Sequence, residues 1–575
     1  MKRKISVLLA AFMVLAVFSG SSAAQKAEEV SLVLTVPNSW ETGGSKYIQL
    51  DGAVKNNGKQ TVSGWTAEIQ VSVNTKIEQK WNCEISISGG VMKVTPVEHN
   101  RNVESGREGT FGMILMNAGS IDASKAKLTF SGGAASGVSG GNGAGNSSGN
   151  SGGTVGTSNP AIVRAKDVPP PTSNDWLYAK GNKIVTASGQ EVWITGINWF
   201  GYNTGTNTFD GLWTADLNTA IASIADRGFN MLRIPISTEL IKEWSNGRYP
   251  TANFNQATNS YLVGMNSLEI FDYVIGQCRA NGLKIMIDIH SAKSDPMGHM
   301  KNMWFDGDIT EKDFINSLAW LARRYRNDDT ILAYDLKNEP HGKPGDPQRA
   351  KWDNSKDPDN WKYIAEKAGL AVLNQNPNAL ILVEGIEIYP KNIKANPNFT
   401  SKNDGDYDFN WWGGNLRGVR DNPIDLGKHQ NKLVYSPHDY GPTVHRQPWF
   451  GDGYNFNSLM RDTWHDNWFF IHKEGIAPIL IGEWGGFMTE PNLTWMTHLR
   501  RLIKENRLHH TFWCFNANSG DTGGLVEHDF TTWDEGKYRF VREVLWRQDG
   551  KFVGLDHDIP LGRNGVTVAE AGGNR

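Results

Sequence analysis

Residues 331–340 read Ile-Leu-Ala-Tyr-Asp-Leu-Lys-Asn-Glu-Pro, an apolar strand-like run that ends in an Asn-Glu-Pro motif. A second run, Ala-Pro-Ile-Leu-Ile at 477–481, leads into Gly-Glu-Trp-Gly at 482–485. A carboxylate at the carboxyl end of a parallel strand is where a (β/α)8 barrel places its chemistry. The two segments therefore predict a barrel with Glu339 and Glu483 at its mouth.

The sequence after residue 175 alternates between strand-like and helix-like segments, which is typical of a parallel β/α architecture. Eight candidate strands begin near residues 192, 230, 283, 331, 380, 433, 477 and 509. Helical patterns lie between them, for example at 361–372 and 455–473. We therefore predict an α/β fold, a (β/α)8 TIM barrel over residues 173–555. A doubly wound open sheet is the alternative, but no glycine-rich phosphate loop follows the first strand.

Strand parity predicts that Glu339 faces the interior of the barrel. Residues of equal parity share one face of a strand, and the large apolar residues Leu332, Tyr334 and Leu336 have the parity opposite to that of Glu339. These apolar residues should meet the surrounding helices, so Glu339 should point into the mouth. Polar residues on the second and third strands are expected to face the same centre: Arg233, Asp288 and His290.

The acids of the predicted barrel admit two interpretations. Asp288 and Asp335 lie below the strand ends, and with Arg233 they could form a structural ion-pair layer. Glu339 and Glu483 lie at the strand ends, where two carboxyl groups suit cleavage of a glycosidic bond, which needs one acid and one nucleophile or base. Four further acids could orient a ligand, although none lies in so specific a motif: Glu384, Glu387, Asp439 and Asp521.

The composition argues against several kinds of partner. A formal charge of -3 over 575 residues gives no electrostatic reason to expect nucleic acid or an anionic membrane. The three cysteines are odd in number and scattered, so they predict no disulfide framework. No cluster has metal-ligand spacing, and we expect neither a metal nor a cofactor.

The first 172 residues are organised differently from the rest. Residues 1–24 combine basic residues, a short apolar run and small residues, which predicts a signal peptide and a secreted, extracellular protein with no membrane association after cleavage. Residues 30–131 show short strands of alternating polarity, which predicts an all-β sandwich. Residues 132–172, rich in Gly, Ser, Asn and Pro, predict a linker. Residues 556–575 form a C-terminal tail whose role is open.

Seven motifs occur in order at predicted strand ends or in the loops that follow them. They are Gly-Ile-Asn-Trp-Phe-Gly at 196–201, Leu-Arg-Ile-Pro at 232–235, Asp-Leu-Lys-Asn-Glu-Pro-His at 335–341, Trp-Trp-Gly-Gly-Asn-Leu at 411–416, Tyr-Ser-Pro-His-Asp-Tyr at 435–440, Gly-Glu-Trp-Gly at 482–485 and Asn-Ser-Gly-Asp-Thr-Gly-Gly at 518–524. With these motifs, the region from Trp176 to Trp546 resembles glycoside hydrolase family 5, most closely its bacterial endoglucanase branch.

This resemblance implies a retaining double displacement, with Glu339 as proton donor and base and Glu483 as nucleophile. It predicts carboxyl groups about 5–5.5 Å apart, and a raised pKa of Glu339 caused by the neighbouring charge of Glu483. It also implies substrate-binding or supporting roles for Arg233, His290, Asn338, His438, Tyr440 and Trp513. His290 could instead be a barrel histidine with satisfied hydrogen bonds, and Trp513 could be a core residue.

The N-terminal region carries three tryptophan motifs, Ser-Trp-Glu-Thr-Gly at 39–43, Gly-Trp-Thr at 64–66 and Gln-Lys-Trp-Asn at 79–82. With them it resembles carbohydrate-binding module family 2. Trp65 matches the buried tryptophan of such modules, and Trp40 and Trp81 match two of the exposed ones that stack on glucose units. The third exposed position falls at His99, so the strip is incomplete. The alternative is that Trp40 and Trp81 pack in the core.

We therefore expect a secreted, monomeric endo-β-1,4-glucanase that a binding module targets to cellulose and soluble β-1,4-glucan chains. The same fold acting on mannan, xylan or mixed-linkage β-glucan is the nearest alternative. A non-catalytic carbohydrate-binding protein is a further alternative, against which the retention of both glutamates speaks.

Overall fold

The computed structural model of the chain describes residues 16–17, 30–42, 45–97, 100–119, 121–130 and 175–572. It divides into two compact units, residues 1–153 and residues 154–575. The predicted linker, His99 and all of the predicted signal peptide except residues 16–17 lie outside the described residues. Among the described residues, no helix is both long and apolar enough to cross a membrane.

The first unit consists of antiparallel strands. Their bounds are β1 (Ala16–Val17), β2 (Val30–Thr42), β3 (Ser45–Asn56), β4 (Val62–Ser63), β5 (Trp65–Gln70), β6 (Lys76–Trp81), β7 (Cys83–Ser88), β8 (Val91–Pro96), β9 (Asn102–Val103), β10 (Arg107–Met116) and β11 (Lys127–Phe130). One sheet has the order β1-β2-β3-β10-β6, and a second has the order β11-β5-β8-β7. Both sheets contribute to one core, for example Leu50 and Ile69, so the predicted sandwich is confirmed.

Trp65 lies at the centre of this core, as the resemblance predicts. It is fully buried, stacks on Phe111 with ring centroids 5.2 Å apart and donates its indole N–H to the Asn100 carbonyl at 2.7 Å. The side chains of Trp40 and Trp81 lie outside what the structure describes.

The backbone register nevertheless assigns positions 40 and 81 to one face of the first sheet. Position 40 pairs with Tyr47, and position 81 pairs with Gly112, which in turn pairs with Asp51. Tyr47 and Asp51 lie on the half-exposed face of β3, whose alternate residues are buried. Paired residues share a face, so the register favours a common outer face for both positions.

The second unit begins with β12 (Leu177–Lys180) and β13 (Lys183–Thr186), which form a hairpin. Eight parallel strands then build the barrel: β14 (Thr195–Asn198), β15 (Met231–Ser237), β16 (Lys284–Ser291), β17 (Ile331–Asp335), β18 (Leu380–Val383), β21 (Leu433–Tyr435), β22 (Leu480–Ile481) and β23 (His509–Phe512). Two further short antiparallel pairs are β19 (Ile388–Pro390) with β20 (Tyr407–Phe409), and β24 (Arg547–Gln548) with β25 (Lys551–Phe552).

The helices of this unit are α1 (Leu217–Asp226), α2 (Thr238–Ser245), α3 (Ser267–Ala280), α4 (Glu311–Arg324), α5 (Trp361–Gln375), α6 (Phe456–Leu459), α7 (Phe470–Lys473), α8 (Asn492–Asn506), α9 (Glu535–Arg542) and α10 (Val568–Gly572). A π-helical segment, Met460–Phe469, joins α6 to α7, so the predicted helix at 455–473 contains a wider middle. That segment is amphipathic and buries Trp464 and Trp468.

The sheet has the order β21-β18-β17-β16-β15-β14-β23-β22. Parallel bridges from Tyr435 to Ile479 and from His438 to Glu483 join its two edges, so the predicted (β/α)8 barrel is confirmed and the open-sheet alternative is wrong. Strand β22 has only two residues because Pro478 before it has no N–H to donate to a ladder.

The chain after residue 551 is packed into the barrel unit. Leu555, Leu561 and Val568 are buried. At the amino end of β16, Lys284 Nζ lies 2.7 Å from Asp556 Oδ2 and 2.5 Å from Asp175 Oδ2. The C-terminal segment, whose role the sequence left open, therefore helps to cover the barrel base with a buried ion-pair cluster.

Candidate active site

Glu339 reaches the barrel mouth by a different route from the one that strand parity predicts. Strand β17 ends at Asp335, and Glu339 has a left-handed backbone with φ of 50°. The parity argument assumed a regular strand as far as residue 339 and is wrong on that point. The turn is held by Glu384, whose Oε2 accepts the Glu339 N–H at 2.7 Å. It leaves Glu339 9% exposed and beside His438.

Glu339 and Glu483 face each other across this mouth. One carboxyl oxygen of each, together with one ring nitrogen of His438, all lie within 4.8 Å of one another. His438 Nδ1 is 3.0 Å from Glu339 Oε1 and 3.5 Å from Glu483 Oε2. The two glutamates and His438 therefore form one polar cluster at the carboxyl ends of β17 and β22.

Arg233, in the middle of β15, is the central cation of the site. Its guanidinium is fully buried and contacts four carboxylates. Nη1 lies 2.8 Å from Glu483 Oε1, while Nη2 lies 2.9 Å from Asp335 Oδ2 and 3.2 Å from both Asp288 Oδ1 and Glu384 Oε1. Asp288 and Asp335 thus form a buried ion-pair layer beneath the mouth, which is the first of the two interpretations that the sequence left open.

The two facing glutamates differ in proton affinity. Burial is the main cause that raises the pKa of Glu339; the hydrogen bond from His438 lowers it, and the charge of Glu483 raises it further, to about 7. The charge of Glu483, which the sequence named as the cause, is therefore secondary. Burial would also raise the pKa of Glu483, but the positive charges of His438 and Arg233 outweigh it and lower that pKa to about 2.

His438 lies between three acids. Its Nδ1 contacts Glu339, and its Nε2 lies 3.1 Å from Glu384 Oε1. Burial would lower the pKa of its imidazole, but the charges of Glu384 and Glu483 raise it well above its usual value. In the protonated form both ring nitrogens carry a proton. Nδ1 then makes the hydrogen bond to Glu339, and Nε2 lies within ion-pair distance of Glu384.

Asn338 and Tyr440 are fixed by the same network. Arg233 Nη2 donates to Asn338 Oδ1 at 3.2 Å, so the Asn338 amide presents its NH₂ group to a ligand. The Tyr440 hydroxyl donates to Glu483 Oε2 at 2.6 Å. Together with Arg233 on Oε1, this bond holds both oxygens of Glu483.

His290 and Trp513 line the mouth on another side. The His290 ring is nearly parallel to that of Trp513, at 4° with centroids 5.6 Å apart. The ring of Phe200, in the loop after β14, is also nearly parallel to that of Trp513. His290 Nδ1 contacts Asp288 Oδ2 at 2.7 Å, and burial lowers the pKa of the imidazole, which is therefore neutral. Trp513 is half-buried, with an exposed part that a core residue would lack.

The sequence offered four further acids as candidates to orient a ligand. Of these, Glu384 contacts the main chain of Glu339 and lies beside His438. Glu387 accepts a main-chain N–H from Gly342 at 3.0 Å, and Asp439 accepts two buried indole N–H groups. Asp521 is exposed in the loop after β23. Sequence reasoning ranked these acids equally, and the only available signal for Glu384 was its place at the end of an apolar strand.

Two groups of side chains in the described part of the chain have donor atoms close enough to share a cation: Asp335 with Glu384 and His438, and Glu339 with His438 and Glu483. His438 belongs to both groups and is itself protonated, and Arg233 contacts acids of both. Positively charged side chains therefore already contact the acids of both groups.

Comparison with known proteins identifies the family. The model described as cellulase (glycosyl hydrolase family 5) matches residues 185–519, more than half of the chain. The chain belongs to glycosyl hydrolase family 5. It is a glycoside hydrolase, and a second family model, described as cellulose binding domain, matches residues 30–135.

Similar proteins include two from Acetivibrio thermocellus. Endoglucanase G is 49% identical over 440 residues, which cover 69% of this chain and 76% of that protein. Endoglucanase B is 45% identical over 432 residues, which cover 69% and 77%. Among solved structures, the hyperthermophilic endocellulase of the archaeon Pyrococcus horikoshii is 32% identical with a TM-score of 0.57, and the match covers 64% of this chain and 98% of that one.

Proposed function

We propose that this family 5 enzyme is an endo-β-1,4-glucanase that cleaves internal bonds of cellulose with retention of configuration. Glu483 is the nucleophile and Glu339 is the general acid and base. One observation carries the proposal: the two glutamates have oxygens within 4.8 Å of each other and opposite pKa shifts. Retaining enzymes have carboxyl groups about 5–5.5 Å apart, whereas inverting enzymes need about 6.5–9.5 Å to admit a water.

In the first step Glu483 attacks the anomeric carbon, and the proton of Glu339 passes to the departing glycosidic oxygen. The lowered pKa of Glu483 keeps the nucleophile ionised, and the raised pKa of Glu339 keeps the acid protonated.

In the second step water attacks the anomeric carbon of the glycosyl-enzyme and gives its proton to Glu339, while the bond to Glu483 breaks and releases the Glu483 carboxylate. In the glycosyl-enzyme the ester neutralises Glu483, so one of the charges that raise the pKa of Glu339 is gone. The pKa of Glu339 should therefore fall between the steps, and the same residue changes from acid to base.

The remaining residues of the mouth position the sugar. The free NH₂ group of Asn338 is placed to bind the sugar 2-hydroxyl, a contact that strengthens in the transition state. Trp513 offers a ring face under the cleaved sugar, and neutral His290 offers its second ring nitrogen to a hydroxyl. Arg233, His438 and Tyr440 act on the two glutamates.

The N-terminal unit targets the enzyme to cellulose through Trp40 and Trp81, and the protein acts as a secreted monomer. The proposed divisions are a signal peptide at 1–24, the module at 30–131, a linker at 132–172, the barrel at 173–555 and a tail at 556–575. The Xanthomonas campestris relative, 33% identical over 372 residues, is called a major extracellular endoglucanase, which supports export.

A paired substitution tests the central assignment. Glu483→Ala should abolish hydrolysis of carboxymethylcellulose, while Glu490→Ala, which removes an exposed acid of the same loop, should remain near wild type. Activity of Glu483→Ala near wild type would refute the assignment of Glu483 as the nucleophile.

Product profiles on cellulose, mannan, xylan and lichenan test the substrate. Faster turnover of mannan or xylan than of cellulose would reject the assignment as a glucanase.

A further inference from the structure

Glu384 follows directly after β18. It contacts the main chain of Glu339 and also His438, which is the hydrogen-bond partner of the Glu339 carboxyl. Its Oε2 accepts the Glu339 N–H at 2.7 Å, and its Oε1 lies 3.1 Å from His438 Nε2 and 3.2 Å from Arg233 Nη2. The side chain is fully buried. A Cβ on the neighbouring Gly413 would lie 2.3 Å from Glu384 Oε2, so the main chain closes over this carboxylate.

The imidazole of His438 is thereby held between two carboxylates. Nδ1 faces Glu339 Oε1 at 3.0 Å and Nε2 faces Glu384 Oε1. A ring with an acid at each nitrogen is stabilised as imidazolium, since both nitrogens are then donors. Loss of the charge on Glu384 would weaken that state.

We propose that Glu384 is a positioning residue for the acid/base, which holds the left-handed main chain of Glu339 and keeps His438 charged against the Glu339 carboxyl. The inference deepens the proposed function and rests on the role of Glu339 given there. On this proposal Glu384 acts through Glu339 and His438.

Charged groups carried by five strands of the barrel, or by the segments that follow them, surround Glu384 and His438. Around Glu384, neighbouring acids raise its pKa and neighbouring cations lower it. These groups are Arg233, Asp288, Asp335, Lys337, Glu339, His438 and Glu483. Burial raises the pKa of Glu384, while the charges of His438 and Arg233 lower it. The Glu339 N–H and the Arg233 guanidinium donate to its two oxygens, and His438 Nε2 lies within ion-pair distance, so these contacts favour the ionised carboxylate.

The charge on Glu384 affects the pKa of Glu339 in two ways, one through His438 and one directly. Through His438, the charge on Glu384 lowers the pKa of Glu339, because it sustains an imidazolium 3.0 Å from Glu339 Oε1. Directly, the same charge raises the pKa of Glu339. We take the route through His438 as the larger one, because His438 contacts the Glu339 carboxyl itself, whereas Glu384 contacts the Glu339 main chain. Removing the charge should therefore raise the pKa of Glu339.

The test is Glu384→Gln in the full chain, because glutamine keeps the volume and an oxygen that can accept the Glu339 N–H. The pH profile of kcat/KM on a soluble cello-oligosaccharide reports the free enzyme. We expect the basic limb to move to higher pH by about one unit, with kcat lowered roughly tenfold and KM little changed.

Glu387→Gln is the matched control. Glu387 is also buried, follows the same strand and also accepts a main-chain N–H after β17, but its recorded contacts do not include His438. It should leave the basic limb in place, whatever its effect on the rate. If the basic limb of Glu384→Gln does not move, Glu384 has only a structural role. If it moves to lower pH, Glu384 does not act on the Glu339 carboxyl through His438.

A measurement on the unmodified protein covers the case in which Glu384→Gln does not fold. Nitrogen-15 NMR of histidine-labelled protein, with His438 assigned by its loss in His438→Asn, should show imidazolium persisting above pH 7. A neutral ring below pH 7 would overturn the proposal. Failure of the acid/base role itself would be distinguishable, because Glu339→Ala would then show no rescue by azide.

Discussion

Tyr440 donates a hydrogen bond of 2.6 Å to Glu483 Oε2, the oxygen opposite the one that Arg233 holds. Both bonds favour the ionised carboxylate, and both fix its plane in the mouth. The nucleophile is thus oriented by two buried donors that come from different strands of the barrel.

Removal of the Tyr440 hydroxyl should leave the nucleophile less strongly ionised and less firmly oriented. Tyr440→Phe takes away a donor to the ionised form, so the pKa of Glu483 should rise from about 2. The acid limb of the kcat/KM profile should then move to higher pH, and kcat should fall by about tenfold to a hundredfold. Tyr435→Phe is the control, because Tyr435 lies on β21, the strand that precedes Tyr440, and its buried hydroxyl accepts the Ile424 N–H instead of contacting Glu483. It should leave the acid limb unchanged. Equal acid limbs in the two variants would argue against Tyr440 as a determinant of the nucleophile.

The basic limb of the wild-type profile should report Glu339. Glycosidic cleavage needs this residue protonated, and its pKa is raised to about 7. Activity should therefore be lost as the pH rises through about 7, while Glu483 remains ionised on both sides of that value. Initial rates from pH 4 to pH 9, with folding checked by circular dichroism, measure the limb. A plateau that extends unchanged to pH 9 would contradict the assignment.

Glu339→Ala should separate the two steps. Without the acid, cleavage of an aryl cellobioside with a good leaving group should survive, because Glu483 can still attack, whereas cellulose should not be cleaved. Azide should speed turnover of the aryl substrate by replacing water without a general base. The absence of any azide effect would argue against the acid/base role.

The binding module should depend on positions 40 and 81. Trp40→Ala with Trp81→Ala should lower retention on insoluble cellulose while turnover of soluble oligomers stays unchanged, because the register assigns both positions to one half-exposed sheet face. A pull-down assay with thermal unfolding is the measurement. Trp65→Ala is the contrasting variant, since loss of this buried ring should destabilise the module by about 3–5 kcal/mol. Undiminished retention of the double variant would reject the aromatic strip.

The barrel was predictable because its signals are local. Apolar runs followed by polar strand ends occur once per strand, and parallel strands bring all those ends to one face. Strand order therefore predicts that one region holds the two glutamates together with Arg233, His290, Asn338, His438, Tyr440 and Trp513.

The conformation of Glu339 and the position of Glu384 could not be read in the same way. The left-handed turn at Glu339 depends on an acceptor 45 residues later in the chain. The dominance of burial in the pKa of Glu339 depends on packing from several strands, so the sequence identified only the charge of Glu483. Such properties arise from tertiary contacts that leave no periodic pattern.

The anomeric configuration of the first product tests the account most directly. Proton NMR of a soluble cello-oligosaccharide, recorded within minutes of adding enzyme, separates the α and β anomers before mutarotation. Double displacement at Glu483 with Glu339 as acid predicts that the β anomer forms first. Initial formation of the α anomer would show inversion and contradict the account.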